Sequence, residues 1–156
     1  MSGDVKKTPL LLSGAHLIIA LLVSALTEVI SSFVRLPVIE ILPLALVGLI
    51  LLAIGFTIRY LAFKLIFKLN KGFLPKYVPE NLITDGVFRI SRNPAYLGIL
   101  LMLTGAFLLA ANLLMVVVVV LEFVRFNGMA SREEKMLAKE FGEAYTSYKK
   151  KTRRWL

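Results

Sequence analysis

Two short polar stretches interrupt an otherwise apolar chain, and they hold most of the residues able to do chemistry. The first, Leu82 to Gly98, reads Leu-Ile-Thr-Asp-Gly-Val-Phe-Arg-Ile-Ser-Arg-Asn-Pro-Ala-Tyr-Leu-Gly. Asn93 followed by Pro94 predicts a helix start, because asparagine caps orphan backbone donors and proline fits the first helical position. The free N–H groups and positive dipole end of that helix suit a carboxylate, with Arg89 and Arg92 beside it. The plainer alternative is a capped helix with arginines at lipid headgroups. The second stretch, Ser131-Arg132-Glu133-Glu134, precedes a segment in which Leu137 and Phe141 fall on one helical face. Gly142, Tyr145, Tyr148, five cations and Trp155 follow, a set suited to the headgroup layer. Taken alone, Glu133 and Glu134 are an acidic first turn favoured by the helix dipole.

The elements that position these residues are membrane helices. With 58% hydrophobic residues and a mean hydropathy of +0.77 over 156 residues, the chain lies outside the range of ordinary soluble domains. It has no cysteine, which excludes disulfides, thiolate metal ligands and a cysteine nucleophile. Leu10 to Val34 gives roughly 37 Å of helix, enough to cross a hydrocarbon core of roughly 30 Å. It is too long for a signal-peptide core, and a second apolar block follows it closely. That block, Leu42 to Leu69, gains Arg59, Lys64 and Lys68 in its second half, so it is expected to leave the membrane as an amphipathic helix with its basic groups at the headgroups. The third, Ala95 to Val124, would make about 45 Å of straight helix, too long for one ordinary crossing. It is read as two short, closely packed helices turning around Ala111 and Asn112, with Gly98, Gly105 and Ala106 allowing close approach.

Charge supports the turn. With four spans and an inside N-terminus, every one of the 19 lysines and arginines except Arg35 is cytoplasmic, whereas a single third crossing would put the basic tail outside. The expected architecture is therefore all-α: an integral membrane bundle of about four transmembrane helices plus a cytoplasmic C-terminal amphipathic helix. Its parts are helix 10–34, helix 42–69, cytoplasmic loop 70–93, hairpin 94–127 and cytoplasmic tail 128–156, in one domain with both termini cytoplasmic. The net charge of +9 is accounted for by anionic lipid headgroups, and no motif supports nucleic-acid binding. His16 and Glu28, twelve residues apart on the first helix, read as buried hydrogen-bonding or interfacial groups. Glu122 and Arg125 read as an i,i+3 pair.

With both polar elements on one membrane face, the chain resembles the membrane methyltransferase superfamily that includes isoprenylcysteine carboxyl methyltransferases and phospholipid N-methyltransferases. Leu82 to Gly98 is similar to that family's threonine, glycine, aromatic, arginine, then arginine-histidine/asparagine-proline-x-tyrosine pattern. Glu133-Glu134 with Leu137, Phe141-Gly142, Tyr145 and Tyr148 forms the second match. Asn93 stands where histidine is common, which removes a titrating imidazole but keeps hydrogen bonding. Phe88 stands where tyrosine is frequent, which removes a hydroxyl but keeps a stacking face. Arg132 and Arg125 are both candidates for the arginine that precedes the acidic cluster in the prenylcysteine branch.

The resemblance implies transfer of a methyl group from S-adenosylmethionine to a lipid-like or prenylated acceptor, most like isoprenylcysteine carboxyl methylation, with phospholipid N-methylation as the alternative. By the same similarity Asn81, Leu82 and Ile83 border the adenine and Phe88 packs against the cofactor. Arg92, Asn93, Pro94, Ala95 and Tyr96 hold its polar end, and Glu133 or Glu134 binds ribose hydroxyls or the amino group. Arg132, Glu134 and Arg125 are the catalytic candidates, and no metal is required. Such displacement at a sulfonium needs mainly positioning and exclusion of water. An aromatic face such as Tyr96 stabilises the cation by about 0.5–2 kcal/mol. A carboxylate acceptor needs no base, whereas an amine needs one, with Glu122 or Glu134 as candidates. An NADPH-dependent membrane reductase and a non-catalytic membrane module are the rival readings.

Overall fold

The structure, a computed structural model, describes residues 2–34, 42–69, 79–111 and 113–156, with the side chains of 9–33, 43–69, 79–111 and 113–156. Its described residues form four α-helices and no strand: α1 (Ser2–Val34), α2 (Leu42–Leu69), α3 (Pro94–Ala110) and α4 (Leu114–Lys151), with a 3₁₀ turn at Gly86–Arg89. Three are long and apolar enough to cross a membrane, Pro9–Phe33, Pro43–Leu69 and the apolar start of Leu114–Lys151; Pro94–Ala110 is a shorter apolar helix. Asn112, Arg35, Lys71 and Lys76, and the side chains of Lys6 and Lys7, lie outside the described residues.

The chain turns back where the apolar run exceeds one crossing. Ala111 adopts a left-handed conformation (φ 51°) and donates its N–H to Phe107 O at 2.8 Å, closing α3. Tyr96, near the start of α3, stacks on Phe126, well beyond the start of α4, so the two helices run antiparallel from the turn at Ala111.

Close helix approach occurs at a different interface from the one expected. Gly98 and Gly105 face α2, not α4, and meet glycines there. A Cβ added at Gly55 would lie 2.6 Å from Gly98 O, and one at Gly98 would lie 2.6 Å from Gly55 O. Gly48 and Gly105 stand in the same reciprocal relation at 2.7 and 2.6 Å. Both helices repeat their glycines at heptad spacing, so one stripe of backbone-to-backbone contact holds the antiparallel pair. On α4, Met115, Phe126 and Ala130 join the buried cluster of α3.

α3 is the central element. Most of its residues are buried, and α1 docks on it through Ser24, whose hydroxyl donates to Ala106 O at 3.4 Å. The outer faces of α1 and α4 leave Leu11, Ile18, Leu22, Val117, Leu121 and Val124 exposed. In water such faces would drive aggregation; in a bilayer they are the solvated surface.

α4 passes residue 127 without a break and runs on to Lys151. At roughly 57 Å it exceeds the membrane thickness, so its polar half projects beyond the apolar half. The break comes instead at Gly142 (φ 51°, ψ −119°), a conformation that favours glycine.

Candidate active site

The loop reaches α3 by docking on α2. Gly86 takes φ 59°, and Val87 then inserts against Ala62, Leu65 and Ala95. Pro94 occupies the first position of α3 as expected, but Asn93 makes no side-chain cap. Its N–H takes the Ser91 hydroxyl at 3.1 Å, and its side-chain amide donates to Glu134 Oε1 at 3.3 Å and Arg154 O at 3.5 Å. The buried carboxylate orients that amide through its NH2 group, and the amide oxygen makes no cap bond to α3.

Glu134 is the hub of the junction. Arg92 Nη2 donates to both its oxygens at 3.1 Å, and Arg154 donates Nε to Oε1 at 2.8 Å and Nη2 to Oε2 at 3.1 Å. Hydrogen bonding to Glu134 in turn raises Arg154 above the ordinary arginine range. The Arg92 that was expected to await a ligand's carboxylate thus holds one from its own chain. Arg92 Nη1 also donates to Thr152 O at 2.6 Å and Lys149 O at 3.3 Å, satisfying carbonyls at the end of α4. Arg89, by contrast, is exposed and pairs with Asp85 at 2.8 Å.

The tail is strapped over the loop. Arg92 N donates to Arg153 O at 2.9 Å, the Ser91 hydroxyl to Arg154 O at 2.8 Å, and the Tyr148 hydroxyl to Phe88 O at 2.6 Å. Arg154 Nη1 reaches Asn127 at 3.0 Å, and Trp155 packs on Phe123 with ring centroids 5.7 Å apart. Sequence reasoning missed Ser91, Asn127 and Arg154, because the terminal cations and Trp155 read as a headgroup anchor.

Toward the membrane, Tyr96 donates its hydroxyl to Glu133 Oε1 and stacks on Phe126 at 4.9 Å. Arg125 lies over the other side of this group, 4.4 Å from the Phe126 ring, and pairs with Glu122 at 2.9 Å as expected. Arg132 is exposed and bonds only its own helix, at Gly128 O, 3.4 Å. Ile83, Pro94 and Ala95 are buried, Leu82 and Phe88 half-buried. Asn81 is exposed and donates to Leu69 O at 2.6 Å.

Arg59 is enclosed by the bundle and differs in this from the other basic residues of α2. Lys64 and Lys68 are exposed, but Arg59 is only 4% exposed, donating to Ala95 O at 2.8 Å and contacting the His16 ring. Nothing in the sequence separates it from the two lysines, because the neighbours that bury it come from α1 and α3.

A model of the phospholipid methyltransferase family matches residues 44–144, more than half of the chain. The chain belongs to the phospholipid methyltransferase family. That family falls within the membrane methyltransferase superfamily to which isoprenylcysteine carboxyl methyltransferases also belong. No curated protein matches the chain. The matched span takes in Arg59, Arg92 to Tyr96, Glu133 and Glu134, and ends before Tyr145 and Arg154. The chain is thus an integral membrane methyltransferase acting on lipid substrates, and the reductase and non-catalytic readings give way.

The junction gathers buried polar groups from the loop and the tail. Glu134 has its acceptor sites filled by arginines and asparagine, while Glu133 accepts from one phenol and retains acceptor capacity. Beside them the Tyr145 hydroxyl and the Arg92 guanidinium are buried next to each other, so the polar cluster continues past Glu134.

Proposed function

We propose that this methyltransferase moves the methyl group of S-adenosylmethionine onto the head group of a phospholipid amine at the membrane face bearing the loop and the tail. The supporting observation is the convergence of two distant sequence elements, with Arg92 on Glu134 and Tyr96 on Glu133. S-adenosylmethionine supplies an electrophilic methyl on a sulfonium. Glu133 would accept its ribose hydroxyls or amino group, and Tyr145 and Arg92 Nε would meet its carboxylate. Asn81, Leu82, Ile83 and Phe88 would border the adenine, and Asn93, Pro94, Ala95 and Tyr96 the polar end. Glu134 acts indirectly, by fixing Arg92 and the tail.

An amine must lose a proton before or during transfer. Glu134 is a poor base because two arginines hold it ionised, and Glu122 is already paired with Arg125. Glu133, bonded only to a neutral phenol, is the better proton acceptor. Arg125 favours a second reading, an isoprenylcysteine-like carboxylate, since it places a cation beside the Tyr96–Phe126 stack. The basic residues of loop and tail favour a topology of four spans with both termini cytoplasmic.

The test is transfer of labelled methyl from S-adenosylmethionine, by the protein in liposomes, to phosphatidylethanolamine, phosphatidylserine and farnesylcysteine. Labelled phospholipid is expected. Label on farnesylcysteine alone selects the second reading, and no label together with no binding of S-adenosylhomocysteine overturns both.

A further inference from the structure

Arg59 is the one buried cation that the methyl-transfer reading leaves unused among the described residues. It lies on α2, and its partners are all neutral. Nη1 donates to Ala95 O at 2.8 Å, and the guanidinium sits 4.5 Å from the Phe63 ring centroid. The His16 ring lies against Arg59 Nη2, with Nδ1 at 3.1 Å and Nε2 at 3.3 Å, and Nδ1 is also 2.9 Å from Leu12 O, so a neutral imidazole is the partner Arg59 can donate to. Among the described residues no carboxylate pairs with Arg59, and its Nε is buried without a partner there. A second orphan lies close in sequence: Ser13, one turn from His16 on the same face of α1, is fully buried with its hydroxyl unsatisfied. A buried charge without a counter-charge costs several kcal/mol, and ionisable groups inside membrane bundles are functional candidates by default.

Depth identifies the anion. Arg59 is level with Ala95, in the first turn of α3, and α3 is about 25 Å long against a hydrocarbon core of roughly 30 Å. Arg59 therefore sits at the edge of the hydrocarbon on the loop side, where lipid phosphates lie. Tyr96, the neighbour of Ala95, borders the proposed donor pocket. A phosphate held at Arg59 would thus sit beside the reacting centre, with the short arm of an aminophospholipid spanning the interval to Tyr96 and Glu133.

We propose that Arg59, oriented by His16 and the Ala95 carbonyl, is the acceptor anchor that takes the phosphate of the lipid head group. The proposal rests on the methyltransferase reading for its role, but its binding test is independent of turnover. Short-chain phosphatidate and diacylglycerol of the same chain length are titrated against the purified protein in detergent, and S-adenosylhomocysteine affinity is measured on the same samples. Phosphatidate is expected to bind, and diacylglycerol to bind roughly ten-fold or more weakly, the effect of losing one charge-assisted contact. Arg59→Lys is expected to keep most of this preference and Arg59→Gln to lose it, with S-adenosylhomocysteine affinity unchanged in both. Glutamine can still hydrogen-bond Ala95 O, so a purely structural role would leave the preference in Arg59→Gln. Equal binding of the two lipids by the wild-type protein overturns the proposal even if the variants do not fold. Displacement of phosphatidate by inorganic phosphate at equal concentration also overturns it, in favour of a free-anion site. Phosphatidate preference without methyl transfer would leave the anchor standing and sink the function.

Discussion

At the residue scale, the two neighbouring glutamates do different work. Glu134 is almost enclosed, with side chains of Arg92 and Arg154 on both oxygens. Glu134→Gln leaves those arginines without their carboxylate and is expected to cost about 3 kcal/mol, the effect of breaking a buried pair from one side. It should lower the melting temperature in detergent and release residues 152–156 to protease, with cofactor affinity falling as a consequence. Tyr96→Phe removes only the hydroxyl given to Glu133 and keeps the ring stacked on Phe126. It is expected to leave melting unchanged within error while weakening S-adenosylhomocysteine by about ten-fold, read by calorimetry. The dipeptide Glu133-Glu134 is visible in the sequence, but which glutamate is clamped is not. That depends on Arg154, twenty residues on, reaching back over the loop.

At the scale of elements, the glycines of α2 and α3 carry the bundle. A side chain at Gly55 or Gly98 would collide with backbone oxygen, which has no rotamer to yield. Gly55→Val should therefore cost several kcal/mol, seen as loss of a monodisperse peak on gel filtration, whereas Gly128→Ala, with open space around it, should be neutral or stabilising by up to about 1 kcal/mol. Gly142→Ala meets no atom, but its φ of 51° should cost about 1 kcal/mol and straighten α4. The sequence shows that Gly98 and Gly105 are small residues on an apolar helix. Their partner helix is decided by Gly48 and Gly55 matching them in register, a pairing that no local pattern announces.

At the scale of the whole molecule, the tail closes the site that the loop opens. Removing residues 152–156 takes away the carbonyls held by Arg92 and Ser91 and the guanidinium held by Glu134. Such a truncation is expected to retain helical circular dichroism but to lose S-adenosylhomocysteine binding. Because the chain has no cysteine, single cysteines placed at Ser147 and in the N-terminal segment report topology directly. Both are expected to react with an impermeant thiol reagent from the same side of sealed vesicles, and labelling from opposite sides would remove the hairpin topology.

The sequence by itself determined the membrane class, the first two long apolar helices and the turn at Ala111, because each follows from the length and polarity of a continuous run against a bilayer of fixed thickness. It also determined the family, since the loop and the acidic pair keep recognisable spacing within residues 44–144. Only the tertiary structure decided that Asn93 serves Glu134 in place of a helix cap, that α4 continues through residue 127, and that Arg59 lies buried between α1 and α3. Those outcomes depend on groups distant in sequence competing for one another. A buried carboxylate or an unpaired guanidinium is defined by what surrounds it, and its surroundings exist only once the helices have packed.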